Sequence, residues 1–236
     1  MNRGWFITGT DTGVGKTRVS RLLLEALARA GQIAVGMKPV ASGCQISETG
    51  LRSDDAELLL AASGVTPDYA DVNPYRFAPA IAPHLAAHEA SVEINLEKIL
   101  DSFRRLQTKS SWVVVEGVGG WRVPLGERLT MVDVARAMRL PVILVVGLRL
   151  GCLNHALLTV EAIRLANVPL AGWVANQIDP AMTHVPENIA ALEQRIDAPL
   201  LAQFPFQPSA KPDVTASAIP IQMLMRFTSL MSGRTK

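Results

Sequence analysis

The chain has 236 residues, of which 49% are apolar and 19% charged, and its formal net charge is +2. That supplies one large core and excludes global disorder, while so small a charge gives no argument for a nucleic-acid or anionic-membrane partner. Two cysteines at unrelated places, Cys44 and Cys152, form no disulfide framework and no zinc-spaced pair.

The N-terminus, MNRGWFITG, lacks a long apolar region with a cleavage site, and the run LPVILVVGL is far short of a membrane span. A soluble, cytoplasmic protein is therefore expected. Trp5–Thr8 reads as a short buried strand followed at once by a glycine-rich loop. In the next segment Val19, Leu22, Leu23, Ala26, Leu27 and Ala30 fall on one helical face, and Gly31 is placed to end it. Ile33–Lys38 is a second strand closed by Pro39, and Asp54–Ala62 a short helix. Ser63–Pro83, with four prolines, is expected to be loop-rich. A helix over Leu96–Leu106 leads into the strand Trp112–Glu116. The strands Val142–Val146 and Ala171–Ala175 enclose a helix over Leu153–Leu165. His184–Gln194 is a weaker helix and Leu200–Phe204 a last strand.

WVVVE and VILVV are continuous apolar runs, which favour strands buried on both faces. With the strand–helix alternation they predict an α/β fold: three layers, with a mostly parallel central sheet flanked by helices. No repeat or linker is visible, and residues 1–236 read as one domain.

The loop GTDTGVGKT, Gly9–Thr17, misses the usual phosphate-loop pattern by one residue: the glycine expected at Thr10 stands at Gly9. Its context of strand, loop, lysine, hydroxyl and helix nevertheless points to phosphate. Gly13 and Gly15 leave room for phosphate oxygens, the amides of residues 13–17 and the helix dipole would face them, Lys16 would neutralise them, and Thr17 would offer a Mg²⁺ its hydroxyl. The plain alternative is a tight turn that needs glycine. Glu116, ending an apolar strand before Gly117, Gly119 and Gly120, stands where such sheets bind ligands. Asp54 and Asp55 sit at a helix start, where N-capping alone would explain one of them. Lys38 is either a snorkelling surface residue or a second cation beside Lys16.

Taken together these stretches resemble the dethiobiotin synthetase family. GMKPVASG (36–43), GLRSDDAE (50–57), NPYRF (73–77), VEGVGGW (115–121), LPVILVVGLRLGCLNHALLT (140–159) and LAGWVAN (170–176) are similar to the family's segments, and the loop fits its variant form. The resemblance implies an ATP-dependent ring closure of 7,8-diaminopelargonate with CO₂ to dethiobiotin, ADP and phosphate. It proceeds through a carbamate and a carbamic–phosphoric anhydride, with Mg²⁺. It also implies roles for residues. Lys16 and Lys38 would bring anions together. Thr17, Asp55 and Glu116 would hold the metal. Gly13, Val14 and Gly15 would contact nucleotide. Thr12, Ser42 and Gly119 would face the diamine, carbamate or phosphate groups. Leu150, Gly151 and Asn154, in LGCLN, would take the substrate's carboxylate tail across a homodimer interface, although from the residues alone a plain buried helix start is at least as good a reading. Asn176 would read the adenine edge, and Pro205 and Phe206 would form the adenine wall. NQID (176–179) is similar to a guanine-reading motif but lacks its lysine.

Gly13 departs from relatives that carry glutamate there, and nothing from Ser209 onward matches a motif. His84 and His88 have zinc spacing, but Leu85 stands where a metalloprotease has glutamate, so core or loop histidines are expected. The main alternative is a partitioning or septum-positioning ATPase of the same fold. Its signature lysine would fall at Asp11, and its membrane-seeking basic helix is not expected in the apolar tail 218–231, which reads as packing on the core. An amidoligase would need a glutaminase domain for which the chain is too short.

Overall fold

The computed structural model describes residues 3–208 and 219–233. The chain runs β1 (Gly4–Gly9), α1 (Lys16–Arg29), β2 (Ala34–Met37), β3 (Val40–Ser42), β4 (Gln45–Ser47), β5 (Gly50–Arg52), α2 (Asp54–Ala61), α3 (Tyr69–Val72), β6 (Tyr75–Phe77) and α4 (Pro83–Glu89). It continues through α5 (Leu96–Lys109), β7 (Trp112–Glu116), α6 (Met131–Met138), β8 (Val142–Leu148), α7 (Cys152–Leu165), β9 (Leu170–Gln177), α8 (Val185–Glu193), β10 (Leu200–Phe204) and α9 (Ile221–Gly233).

Six strands form the central sheet in the order β10-β9-β8-β1-β7-β2, and every pairing in it is parallel. The chain leaves β1 toward β2 on one side and later places β8 on the other. The strand order thus reverses around β1, and the crevice above its carboxyl end is where ligands gather in such sheets. Continuous apolar runs serve both faces because side chains alternate. Trp5, Ile7, Trp112 and Val114 pack with α1 residues Val19, Leu22, Leu23 and Leu27. Phe6, Val113 and Val115 turn the other way, toward Ile99 and Phe103 of α5 and Val134 of α6. In β8, Ile143 and Val145 share the first of these faces, whereas Leu144 and Val146 pack with α7 and α8 residues.

The prolines of segment 63–83 concealed real elements: α3 and β6 lie there, and β6 pairs in parallel with β3 in a small second sheet. α6 is an element that periodicity did not reveal. The Asp133 carboxylate accepts from both the backbone N–H and the hydroxyl of Thr130, the Thr-x-x-Asp start signal of a short helix. The tail expectation holds where it is described: Leu224 of α9 is fully buried against the α1 face. Residues 209–218 lie outside the described residues.

Segment 69–77 positions β2. Asn73 is fully buried, and its Nδ2 donates to Lys38 O at 2.6 Å and to Tyr75 O at 3.1 Å. The Tyr69 hydroxyl accepts from Ser53 N at 2.8 Å at the start of α2. Asn73→Ala leaves the buried Lys38 carbonyl without that donor and is expected to lower stability by about 1–3 kcal/mol. A shifted midpoint in urea unfolding checks this, and an unchanged midpoint removes Asn73 from the support of Lys38.

Candidate active site

The glycine-rich loop is fastened to the sheet rather than merely turning above it. Val14 is buried and fills a slot formed by two glycines: a Cβ on Gly9 would meet Val14 Cγ2 at 2.6 Å, and one on Gly147 would meet Val14 Cγ1 at 2.6 Å. Gly15, the N-cap of α1, has φ 95°, and a Cβ there would run into Asn176 Nδ2. Only glycine meets both demands. The first-turn amides of α1 are left for an acceptor outside the helix, and that turn opens on a cavity of about 780 Å³.

The cavity is lined by Thr12, Gly13, Gly15, Lys16 and Thr17 of the loop. Lys38, Ser42, Asp55, Glu116 and Gly119 face it from β2, β3, α2 and the end of β7, and Ala80–Pro83, Val123 and Pro124 complete its wall. Ten residues named from sequence thus meet in one place. Lys38 is no snorkelling surface residue. It is 3% exposed, with Nζ 2.6 Å from Glu116 Oε1 and 2.8 Å from Asp55 Oδ2. Burial alone would push the Lys38 pKa down, but the Glu116 and Asp55 carboxylates outweigh it and hold the ammonium above its ordinary value. Asp55 shows the converse: burial would raise its pKa, and Lys38 together with the Thr17 hydroxyl brings it below the usual carboxylate range. Asp55 is therefore not a cap. Ser53 caps α2, its side chain accepting from Ala56 N, and Asp54 is left exposed.

Lys16 is buried too, and its Nζ donates to the Asp11 carbonyl at 2.9 Å. Burial, and then the neighbouring Lys38 charge, lower its pKa to about 8. An anion between the two ammoniums would relieve that repulsion. The Thr17 hydroxyl stands 2.8 Å from Asp55 Oδ1 and 2.9 Å from Glu116 Oε1, and Glu116 Oε2 is buried without a hydrogen-bond partner. Two carboxylates and a hydroxyl make a hard-oxygen set suited to Mg²⁺. Ser42 Oγ is a second buried polar atom without a partner, on a residue that lines the cavity.

Other expected residues lie apart from this cavity. Asn176 is buried behind the loop, its Nδ2 donating to Val14 O at 2.8 Å and its Oδ1 accepting from Arg18 at 3.0 Å. Pro205 and Phe206 follow β10 and are exposed, with Phe206 N donating to Gln177 Oε1 at 3.4 Å. Leu150, Gly151 and Asn154 are exposed at the start of α7, with Leu150 95% exposed and Gly151 at φ 94°.

Sequence reasoning did not single out Arg18, Asn73 or Arg149. Arg149 pairs with Asp11 at 2.6 Å. Their signals were present as charge and amide side chains beside motifs, but they acquire meaning only from partners far away in the chain. No cluster of three or more histidine, cysteine, aspartate or glutamate side chains suited to a metal ion occurs among the described residues. Both cysteines are free and buried, and burial pushes the Cys44 thiol up, away from nucleophilic use. Among the described residues no helix is long and apolar enough to cross a membrane.

The chain is similar to known proteins in sequence and in fold. A family model described as an AAA domain matches residues 3–214. An ATP-dependent dethiobiotin synthetase from Nitrosospira multiformis is 53% identical over 206 residues, covering 87% of this chain and 89% of that protein. One from Xanthomonas euvesicatoria is 49% identical, covering 93% and 97%. Among solved structures, the septum site-determining protein MinD with Mg-ADP from Pyrococcus horikoshii superposes with a TM-score of 0.56 at 17% identity, covering 98% of this chain and 96% of that one. At that identity the likeness shows the fold alone.

The charge cluster generates a stability prediction. Lys38→Met leaves the buried Glu116 carboxylate without its ammonium and is expected to destabilise the fold by about 3–5 kcal/mol, whereas Glu116→Gln leaves Lys38 its pair with Asp55 and should cost less. The double variant should cost clearly less than the sum. Chemical denaturation of the four proteins measures the coupling, and strict additivity would show that the two side chains do not depend on each other.

Proposed function

The chain belongs to the ATP-dependent dethiobiotin synthetase family, and we propose that its cavity closes the cyclic urea of dethiobiotin from 7,8-diaminopelargonate, CO₂ and ATP. The observation that carries this reading is the pair of buried ammoniums, Lys16 and Lys38, beside Thr17, Asp55 and Glu116 on one cavity. One substrate amine takes up CO₂ and loses a proton to become a carbamate. A carbamate oxygen attacks the γ-phosphorus and ADP leaves. The second amine then attacks the mixed anhydride, and phosphate departs as the ring closes.

The difficulty of the sequence is repulsion between a carbamate and a triphosphate. Lys16, at the loop, carries the phosphates, and Lys38 faces the negative charge that builds between the γ-phosphorus and the carbamate. Thr17, Asp55 and Glu116 would hold Mg²⁺, whose chemistry when bound is to neutralise the outer phosphates. Gly13, Val14 and Gly15 let the triphosphate approach the backbone, and Thr12 and Gly119 border the space left for the substrate. The unpartnered Ser42 hydroxyl supports a contact with substrate or phosphate. No protein nucleophile is needed, because an amine attacks an already activated carbonyl.

Asn176 is assigned to the base edge and Pro205 with Phe206 to its wall. Leu150, Gly151 and Asn154 are assigned to the carboxylate tail of substrate bound to a second subunit, so the working unit is a homodimer. Their exposure at a helix start outside their own chain's cavity supports this. Use of ATP supports a cytoplasmic location, and the return of α9 to the α1 face supports a single domain over residues 1–236.

The direct test mixes the protein with the diamine, bicarbonate, Mg²⁺ and ATP and analyses products by mass spectrometry. Dethiobiotin, ADP and phosphate are expected in equal amounts. Lys38→Gln should retain ATP binding while turnover falls by roughly a hundredfold or more. Undiminished ring closure by that variant would remove Lys38 from the chemistry.

A further inference from the structure

Tyr69 begins α3 and is buried, but it does not line the cavity, and no step of the ring closure uses it. Its hydroxyl accepts from Ser53 N at 2.8 Å and donates to Asn73 Oδ1 at 3.5 Å. Asn73 Nδ2 donates in turn to Lys38 O at 2.6 Å. Ser53 is the N-cap of α2, and Asp55 is the second residue of that helix. One phenol thus ties the main chain of Lys38 to the main chain two residues before Asp55.

The tie closes a ring. From Lys38 O it runs through Asn73, Tyr69 and Ser53 to Asp55, and the Asp55 carboxylate returns to Lys38 Nζ at 2.8 Å. Asp55 depends on such a tie, because packing does not hold it. Its side chain is 43% exposed, and the buried residues of α2 are Ala56 and Leu59. The place of the carboxylate therefore follows from where the helix starts. Ser53 is itself buried, so removing the hydroxyl orphans a buried N–H and frees that start to shift. Burial pushes the Tyr69 pKa up, and the phenol keeps the proton that it shares with Asn73. Arg52, directly before Ser53, lies over the Tyr69 ring at 3.9 Å and fastens the same junction a second time.

We propose that Tyr69 is a positioning residue for the metal: through Ser53 it sets where the Asp55 carboxylate stands relative to Lys38 and Thr17. Mg²⁺ tolerates little departure from octahedral geometry, so slack at the start of α2 falls on metal affinity and not on the nucleotide's other contacts. The proposal rests on the reading of Thr17, Asp55 and Glu116 as the metal's holders. Tyr69 acts through Ser53 and is not itself a ligand.

The experiment titrates ADP calorimetrically into the full chain, first in EDTA and then at rising Mg²⁺, with no diamine present. The readout is the Mg²⁺ concentration that gives half of the full tightening of ADP. Tyr69→Phe keeps the ring beneath Arg52 and removes only the hydroxyl. It should raise that midpoint by about tenfold or more, the scale for a group that orients a metal ligand, and leave ADP affinity in EDTA unchanged. Asn73→Ala cuts the same tie at its other end and should shift the midpoint in the same direction, and it replaces the phenylalanine variant if that folds poorly. The double variant should be no worse than the worse single one, because both break one chain of bonds. The binding stoichiometry reports the folded fraction separately. Variants that lose stoichiometry or thermal stability but keep the midpoint of the unaltered protein give Tyr69 a purely structural role and overturn the proposal, leaving the synthetase reading standing. ADP binding by the unaltered protein that ignores Mg²⁺ overturns the metal assignment and the proposal together.

Discussion

A buried ammonium shared by two carboxylates is the constraint on which the site depends. Lys38, Glu116 and Asp55 come from β2, from the end of β7 and from the first turn of α2, and nothing local in the chain brings them together. The register does. β2 and β7 pair so that Met37 lies opposite Val115, and the next residues on each strand are Lys38 and Glu116. A slip of one residue would turn every side chain of β2 to the opposite face. It would also leave charges in an apolar interior with no partner. The ion cluster contributes to the specification of register as well as to chemistry, because alternatives to it carry unpaired buried charge.

The phosphate loop is held by a different kind of force, steric fit. Val14 plugs the space that Gly9 and Gly147 leave open, and Asn176 occupies the space that Gly15 leaves open while bonding to Val14 O. The loop's conformation is therefore fixed by β1, β8 and β9 together, and the positive φ angles of Gly13 and Gly15 are sustained by that packing. This explains why the deviant spacing is tolerable: the loop is shaped by what lies behind it, not only by its own glycines.

Much of this was legible in sequence. Glycines, a lysine and a hydroxyl between an apolar strand and an amphipathic helix announce their chemistry locally, and the doubly buried strands announce a parallel sheet. What was not legible falls into two physical kinds. Short elements such as α3 and β6 bury too few residues to show a period, and the prolines around them suggest loop. Long-range polar partners are invisible for another reason. Asn73 looks like a turn residue until its amide is seen on Lys38 O, and Asp55 looks like a cap until Ser53 is seen doing that work. Arg18 looks like an exposed helix residue until β9 and β10 are placed beside it.

The fold is shared with ATPases of other purpose, so the distinction between them has to lie in a few side chains. Two stand out here. Asp11 is an anion in the loop and pairs with Arg149, while Lys38 places its cation inside the cavity. The charges in this site are already matched to protein groups: Lys38 to two carboxylates, Lys16 to a carbonyl. On the proposed reading, a triphosphate and a carbamate would draw these cations from their present protein partners. The cations would then stand where negative charge develops in phosphoryl transfer, which is what preorganisation means in electrostatic terms. A site with only the loop lysine would hold a triphosphate but would offer a second anion nothing to approach.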